Sequence, residues 1–411
     1  MTAIALLGLL TDTGSTSGAW ALLWAAPVIV LASLVIAWAA ESAQYRISQG
    51  LALAILALMQ TLPEYTVEGT LAINAAGDDS YLYLMTANFT GALRLLVGLG
   101  FPLVFAVATV SHRARQGRWL RTIRLRAHHA AEGVALIPPA LYLAIIYLKA
   151  SLTVFDAAVL AAMYGGYLWA MSLFPAEAEG PVEKLEPISR WVLNRPTGHS
   201  FALIGAMFAL GGGLLAGFAE PFVHSMVAAS AVVGVNSYFM VQWVAPVLSE
   251  FPEKLSAFHW ARRPGAAPVA LMNMTSSIIN EATLLVGLMP VAFCLARGQV
   301  QPIPLDAHQQ GEILLTLTSM LLAVAALADQ RFSWWEAIAL LAFWAAGFFG
   351  PMFMGGEQAT AAQHKASPLH YGLAGAQLGW LGLEVILVIA NVRRVRLASA
   401  LARAVRRARR R

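Results

Sequence analysis

The sequence has little cysteine and little charge, and both shortages narrow the class of protein. Cys294 is the single cysteine among 411 residues, which excludes an internal disulfide and a cysteine metal cluster. Charged residues make up 12% of the chain and hydrophobic residues 59%, a balance too apolar for a soluble domain of this length. No basic residue precedes Arg46, so we expect no cleaved signal peptide. The composition predicts a polytopic membrane protein.

Long apolar stretches recur along the whole chain. A helix needs about 20 mainly apolar residues to cross about 30 Å of hydrocarbon. We therefore predict an all-α polytopic membrane protein with about eleven transmembrane helices, at residues 19–40, 50–75, 81–110, 130–148, 151–174, 199–219, 224–251, 267–296, 311–329, 333–354 and 369–392. These spans leave a Pro- and Glu-rich cytoplasmic connector at 175–198 and a basic cytoplasmic tail at 393–411.

Lysine and arginine are concentrated in alternate loops between the predicted spans. Cytoplasmic loops of membrane proteins carry the excess of these residues. With the N-terminus outside, 23 of the 27 basic residues fall on the inner side, and the outer loops hold Lys149, Arg297 and Lys365. We therefore expect a plasma (inner) membrane protein with a cytoplasmic C-terminus. The terminal arginines favour an anchor near anionic lipid, and no nucleic-acid partner is expected.

One membrane-embedded pattern occurs twice at an identical separation. A Pro-Glu pair at 63–64 is followed by Leu-Leu-Val-Gly-Leu at 95–99, and a Pro-Glu pair at 252–253 is followed by the same five residues at 284–288. The differences 253 − 64 and 284 − 95 are both 189, so the chain contains a duplicated unit.

The copies lie in the second and third spans of one half and in the seventh and eighth spans of the other. A shift of five spans reverses the direction in which a segment crosses the membrane. The sequence therefore predicts two inverted five-helix repeats, 19–174 and 199–354, followed by one C-terminal helix at 369–392. Inverted repeats are typical of secondary transporters.

The repeated Pro-Glu pair places a carboxylate beside a helix break in lipid. Proline has no N–H and displaces the carbonyl four residues earlier, which frees the oxygens of Met59 and Leu248 as cation ligands. Broken backbone at membrane depth is tolerated where it lines a polar cavity, so we expect the two breaks to share one site. The candidate side-chain ligands in these stretches are Glu64, Glu253, Thr61, Ser249, Asn88, Ser276, Ser277 and Asn280. Such oxygen ligands suit a hard cation, with Glu64 and Glu253 as the metal-binding carboxylates.

Four more ionisable residues lie in or beside the same spans, namely Glu68, Glu250, Glu281 and Arg94. Glu68 is one helical turn beyond Glu64 and on the same face. Neighbouring carboxylates that are partly desolvated can exchange protons near neutral pH, so we assign these four residues to proton coupling or its modulation. We expect Arg94 either to pair with Glu68 or Glu281 or to act as a tethered cation where Na⁺ would otherwise bind.

The motifs resemble those of the Ca²⁺/cation antiporter superfamily, the sodium/calcium exchangers and their proton-coupled relatives. That family carries Gly-Thr-Ser-Leu-Pro-Glu on one helix and Gly-Ser-Asn-Ile-Phe-Asn or -Asp on the next, in two inverted copies. In this chain the first copy reads Gln-Thr-Leu-Pro-Glu at 60–64 and Thr-Ala-Asn-Phe-Thr-Gly at 86–91. The second reads Ser-Glu-Phe-Pro-Glu at 249–253 and Thr-Ser-Ser-Ile-Ile-Asn at 275–280.

The resemblance implies a Ca²⁺ site with ligands from Glu64, Glu253, Thr61 and Ser249. Asn280 matches the last motif position of the second copy, whereas its counterpart Gly91 has no side chain that binds an ion. Ala87 replaces a serine that helps to bind Na⁺ in the exchangers. These departures favour Ca²⁺/H⁺ exchange over Na⁺/Ca²⁺ exchange.

The resemblance implies a secondary active antiporter, not an enzyme, that exchanges Ca²⁺ for H⁺ or Na⁺ by alternating access. We expect no cofactor besides the transported ions; the expected partners are inorganic cations and the lipid bilayer, and the oligomeric state is left open. The alternatives are a Na⁺/H⁺-type cation antiporter, a cation channel and a degenerate paralogue that transports nothing. A membrane-embedded hydrolase would need a motif such as His-Glu-x-x-His, which the sequence lacks.

Overall fold

Helices account for nearly all of the secondary structure. The computed structural model describes residues 15–45, 61–172, 185–235, 237–353, 365–390 and 393–408. Its helices are α1 (Ser15–Trp20), α2 (Leu22–Gln44), α3 (Leu62–Ala75), α4 (Ser80–Leu95), α5 (Phe101–Gln116), α6 (Ala130–Ala135), α7 (Ile137–Lys149), α8 (Val154–Ser172), α9 (Pro187–Leu193), α10 (Thr197–Val233), α11 (Ser237–Ser249), α12 (Phe251–Arg262), α13 (Ala267–Asn280), α14 (Val286–Arg297), α15 (Ala307–Leu327), α16 (Trp334–Phe353), α17 (Pro368–Ile389) and α18 (Leu397–Ala408).

Short elements join some of these helices. The π-helical turns are π1 (Leu96–Gly100), between α4 and α5, and π2 (Glu281–Leu285), between α13 and α14, and a 3₁₀ turn at Ala127–His129 precedes α6. The strands are β1 (Thr122–Arg124), β2 (Ser151–Leu152), β3 (Ile303–Pro304) and β4 (Arg331–Ser333).

The all-α polytopic class is confirmed. Eight helices or helix runs in the described part of the chain are long and apolar enough to cross a membrane. Several follow the predicted spans closely, such as α8 against 151–174 and α17 against 369–392. Part of the second predicted span, 50–60, lies outside the described residues.

The predicted boundary between the sixth and seventh spans is wrong. Helix α10 runs unbroken for 37 residues, through the loop expected at 220–223, and the next helix begins at Ser237 instead of 224. Pro221 lies inside α10 without ending it. One proline removes one backbone hydrogen bond, and the flanking turns can tolerate that loss. At 1.5 Å per residue such a helix is about 55 Å long, which exceeds about 30 Å of hydrocarbon.

The chain divides into two compact units, and the first holds residues 1–88 and 176–253. In this unit α2 packs along α10, with Ile36 and Ala32 against Gly211. Alanine and isoleucine of α2 are buried at this face. The short helix α9 also joins α2, because the Ser189 hydroxyl donates to the Trp38 carbonyl at 3.3 Å.

The second unit holds residues 89–175 and 254–411, and its strands pair across the two repeats. β1, after the third span, pairs antiparallel with β4, before the tenth. β2, before the fifth span, pairs antiparallel with β3, after the eighth. In each repeat, the strand after the third helix pairs with the strand before the fifth helix of the other repeat. This reciprocal pairing is expected for duplicated halves related by a pseudo-two-fold axis.

Acidic residues at matching places cap the fifth and tenth helices in this unit. Asp156 in the first turn of α8 accepts a hydrogen bond from the Thr153 backbone N–H at 2.6 Å. Glu336 in the first turn of α16 accepts one from the Ser333 N–H at 2.7 Å. A carboxylate at a helix start satisfies a free N–H and favours the helix dipole, which explains why both repeats place an acid here.

The segment predicted as a basic tail begins inside the second unit. Arg393 pairs with Glu336 and Glu384, and its Nε lies 3.7 Å from an oxygen of Asp329. Burial raises the pKa of Asp329, and the neighbouring Arg393 opposes that rise. Further along, α18 packs Leu397 and Ala400 against Ala130.

The glycine of each Leu-Leu-Val-Gly-Leu copy lies at a helix contact between repeats. Gly98, in π1, faces α16, where an added Cβ would lie 2.3 Å from the Trp344 Cβ. Gly287, in α14, faces α8, where an added Cβ would lie 3.4 Å from the Ala157 Cα. The third span thus packs against the tenth and the eighth against the fifth, which repeats the reciprocity of the strands.

Replacing Gly98 with alanine is expected to lower the free energy of unfolding by about 1–3 kcal/mol, because the Trp344 Cβ is fixed to its helix and must move with it. Gly287→Ala is the matched control at the same motif position. Its new Cβ would make an ordinary contact, and alanine favours a helix over glycine by about 0.5–1 kcal/mol. Thermal unfolding in detergent measures both variants, and equal destabilisation by the two would contradict this reading of the motif.

Candidate cation site

Both Pro-Glu pairs lie at helix starts. Pro63 is in the first turn of α3, directly before Glu64. In the second copy α11 ends at Ser249 and α12 begins at Phe251, so Pro252 follows an interruption between two helices. Proline suits this position because a first-turn residue has no helical partner for its N–H. The helix break predicted at Pro252 is present.

For two of the predicted ligands, the structure does not describe the atoms that would bind the ion. Met59, whose carbonyl is a predicted ligand, falls in the undescribed segment 46–60. The backbone of Glu253 is part of α12, but its side chain is not among those described. Their roles as cation ligands stay predictions.

Glu64 and Glu250 form a buried carboxylate pair in the first unit. Their side chains belong to residues that are 1% and 2% exposed, and a carboxylate oxygen of one lies within 4.8 Å of a carboxylate oxygen of the other. If both were ionised, they would repel each other by about 3 kcal/mol or more at an effective dielectric constant of about 20. A bound cation or a proton relieves that repulsion. The sequence assigned Glu250 to proton coupling, and the geometry places it beside the predicted Ca²⁺ ligand.

Glu68 and Asn88 are joined in the same unit. The Asn88 Nδ2 donates to Glu68 Oε2 at 2.6 Å, and both residues are fully or almost fully buried. Within the described residues, the Asn88 Oδ1 and the Glu68 Oε1 make no hydrogen bond. The predicted ligand Asn88 and the predicted coupling residue Glu68 therefore act as one group, in which each side chain keeps one oxygen available for a cation or a proton.

The hydroxyl residues of the first unit are also buried. Thr61 directly precedes α3 and is 3% exposed, and its carbonyl accepts from the Tyr65 N–H at 3.0 Å. The Ser249 hydroxyl donates to the Ala245 carbonyl at 3.0 Å. A hydroxyl that donates its hydrogen still has lone pairs on oxygen, which is the form a cation ligand needs. Leu248, whose carbonyl is the other predicted backbone ligand, lies in the last turn of α11.

In the second unit, the predicted serine and asparagine ligands lie on α13. The Ser276 hydroxyl is 2.9 Å from the Tyr167 hydroxyl, and the Ser277 hydroxyl donates to the Asn273 carbonyl at 3.3 Å. Asn280, the last residue of α13, is 1% exposed. No sequence motif indicates Tyr167, because its approach to Ser276 depends on the packing of two separate helices.

Glu281 opens the π-helical turn that follows Asn280. It is completely buried, and the Thr283 hydroxyl donates to the Ile279 carbonyl at 2.6 Å in the same turn. π-Helical turns inside longer helices are frequent at functional sites, because the wider turn re-aims side chains and carbonyls. The repeat motif does not reveal this turn, since π1 and π2 occupy different positions relative to the two Leu-Leu-Val-Gly-Leu copies.

Arg94 is paired with a residue that the sequence analysis missed. Its guanidinium forms a buried ion pair with Glu312 on α15, and its Nε donates to the Thr90 carbonyl at 3.1 Å. The expected partners were Glu68 and Glu281, and Glu312 was overlooked because it lies at the edge of a predicted span. The charge of Arg94 is thus balanced by Glu312, which argues against a role as a free substitute for Na⁺.

Glu312 also lies beside two histidines that no motif had indicated. Its Oε1 is 2.9 Å from the His370 Nε2, and the ring centroids of His308 and His370 are 4.9 Å apart. All three residues are buried. One signal in the sequence could have found part of this cluster, because His308 and Glu312 are four residues apart and share a helix face.

Solved structures share the fold. An H⁺/Ca²⁺ exchanger, CAX, is 26% identical with a TM-score of 0.82, and the match covers 100% of this chain and 94% of that one. Native YfkE is 16% identical with a TM-score of 0.58, covering 84% and 96%. The sodium-calcium exchanger NCX_Mj is 16% identical with a TM-score of 0.50, covering 80% and 97%. No curated protein matches significantly.

The sequence itself matches one protein family in two regions. Residues 17–173 and 203–350 fit the family described as sodium/calcium exchanger protein. These regions correspond to the two halves indicated by the duplicated motifs. Together with the apolar helices, the match makes the chain an integral membrane protein of a transporter family. The chain belongs to the sodium/calcium exchanger protein family.

Proposed function

We propose that the chain is a secondary active antiporter that exchanges Ca²⁺ for H⁺ by alternating access. The observation that carries this proposal is the buried pair of Glu64 and Glu250, whose oxygens lie within 4.8 Å of each other. Two carboxylates neutralise one Ca²⁺ ion, and two protons neutralise the same pair when the ion is absent. Binding of one therefore excludes the other, which is the basic requirement of exchange.

Protons are the favoured counter-ion for two reasons. Gly91 and Ala87 remove oxygen ligands that a Na⁺ site would use, whereas Glu68 and Glu250 add groups that bind protons. The similarity to the H⁺/Ca²⁺ exchanger CAX, with a TM-score of 0.82, adds support. The Glu68 and Asn88 pair fits this role, because Glu68 can take up a proton on Oε1 while Oε2 keeps the hydrogen bond from the Asn88 amide.

The proposal includes the setting of the protein. We place the protein in the plasma membrane, and the distribution of lysine and arginine favours an N-terminus outside and a C-terminus in the cytoplasm. No cofactor is needed, because the transported ions are the only reactants. Glu253 and the carbonyls of Met59 and Leu248 complete the ligand set that we propose for Ca²⁺, with Thr61 and Ser249.

Ca²⁺ uptake into proteoliposomes is expected under an imposed pH gradient and not under a Na⁺ gradient at equal pH. The physical reason is that protons must neutralise the carboxylates before the Ca²⁺-free site can become accessible again from the other side of the membrane. The measurement is the initial rate of ⁴⁵Ca²⁺ uptake, with liposomes lacking the protein and pH-clamped liposomes as controls. Uptake driven by Na⁺ alone would overturn proton coupling but keep antiport, and passive flux insensitive to both gradients would indicate a channel. Absence of Ca²⁺ flux would overturn Ca²⁺ as the substrate.

A further inference from the structure

The second unit contains a buried cluster of metal-ligating side chains that the proposed function does not use. We propose that His308, Glu312 and His370 form a binding site for a divalent transition-metal ion such as Zn²⁺. The three residues are 1%, 0% and 5% exposed. Each offers one ligand atom, and these atoms all lie within 4.8 Å of one another.

The spacing is close to what a tetrahedral ion requires. Bonds of about 2.0–2.1 Å to nitrogen and oxygen place neighbouring ligand atoms about 3.4 Å apart. The Glu312 Oε1 and His370 Nε2 are already 2.9 Å apart, and small side-chain rotations would bring the remaining separations into range. Two histidines and one glutamate, with a fourth position for water, form a common zinc-binding set.

The backbone that presents these ligands is well fixed at both helix starts. His308 and Glu312 lie on one face of α15, whose N-terminus has a capping box formed by Asp306 and Gln309. His370 is in the first turn of α17, and its N–H is bound by the Ser367 hydroxyl at 3.1 Å. Capped helix ends hold their side chains in defined positions, as a metal site needs.

The second oxygen of Glu312 is already held by other groups. Arg94 pairs with Oε2, and the Thr90 hydroxyl lies 3.3 Å from the same atom. Outer contacts of this kind orient a ligating carboxylate, here so that Oε1 faces the two imidazoles. The positive charge of Arg94 also offsets the negative charge of the Glu312 carboxylate. The site therefore favours ions that bind imidazole strongly, such as Zn²⁺ or Co²⁺, over Ca²⁺ and Mg²⁺, which need several oxygens.

None of the three residues of this site is a proposed Ca²⁺ ligand. Metal binding here can therefore be measured without a transport assay. The loops that precede α15 and α17 are predicted to lie on the outer side of the membrane. An ion is therefore expected to enter from outside.

The test is metal binding by the full-length chain, purified in detergent without a histidine tag and stripped of metal. Addition of Co²⁺ is expected to give the intense visible absorption of a tetrahedral site, with one ion bound per chain, and Zn²⁺ is expected to abolish it. His308→Gln and His370→Gln should each weaken binding by about 10-fold or more. His224→Gln is the matched control, because His224 is half-exposed and bonded to Tyr81.

Unchanged Co²⁺ binding in both histidine variants would overturn the site, as would equal competition by Ca²⁺. If either variant fails to fold, the wild-type spectrum still decides. Octahedral Co²⁺ absorption, or a stoichiometry far from one, would mean that this cluster does not bind the ion.

Discussion

Replacing Glu64 with glutamine is expected to reduce Ca²⁺ uptake by at least about 100-fold. Glutamine keeps the size of the side chain but removes its charge and its ability to carry the exchanged proton. A divalent ion would then meet one negative charge from the Glu64 and Glu250 pair, in a place where both residues are nearly inaccessible to water. A 100-fold loss corresponds to about 2.7 kcal/mol, which is modest for one ionic ligand of a desolvated ion.

Stability provides an independent readout for this variant. Because the two carboxylates must either repel each other or take up protons when no cation is bound, Glu64→Gln is expected to unfold at the same temperature as the wild type or higher. Glu220→Gln serves as the control, since Glu220 belongs to the same unit and is 70% exposed at its side chain. The measurements are ⁴⁵Ca²⁺ uptake and thermal unfolding. A stable Glu64→Gln protein with full uptake would refute the proposed site.

The duplicated architecture could be predicted from sequence because a whole pattern was copied. A Pro-Glu pair and Leu-Leu-Val-Gly-Leu at one fixed offset leave little room for coincidence, and the match of both halves to one family agrees with them. The break at Pro252 was predicted from its missing N–H, although Pro221, which also lacks that donor, lies inside the continuous helix α10.

Local signals failed where packing decides the outcome. The Glu220-Pro221 pair was expected in a loop between spans, yet α10 continues through it: one proline removes a single backbone hydrogen bond, and Phe222 and Val223 directly after it are buried. The predicted start of the next span at 224 therefore falls inside α10, and α11 begins at Ser237.

The residue types of the candidate site could be predicted from the sequence, but the side chains that lie next to each other could not. Glu250 was expected to modulate protons, but no spacing rule could place it beside Glu64, because Glu64 lies in α3 and Glu250 lies between α11 and α12, far along the chain. The same holds for Arg94 and Glu312, whose charges meet only after the fold has formed. Buried ionisable residues can be recognised from sequence as unusual, but their partners depend on tertiary packing.

Glu312→Gln is expected to lower the free energy of unfolding by about 3–5 kcal/mol. The ion pair between Arg94 and Glu312 is buried, with side-chain exposures of 6% and 0%, and removing one partner of such a pair takes away an opposite charge in a medium that solvates the other charge poorly. Replacing both residues with apolar ones of similar size, as in Arg94→Met with Glu312→Leu, should recover most of that loss, because neither charge then has to be desolvated. Thermal and denaturant unfolding in detergent would measure both variants beside Glu220→Gln. If Glu312→Gln were as stable as the wild type, the pair would contribute nothing to the fold. If the double variant were as unstable as the single one, the loss would come from the contacts of Glu312 with Thr90 and His370 and not from the lost charge opposite Arg94.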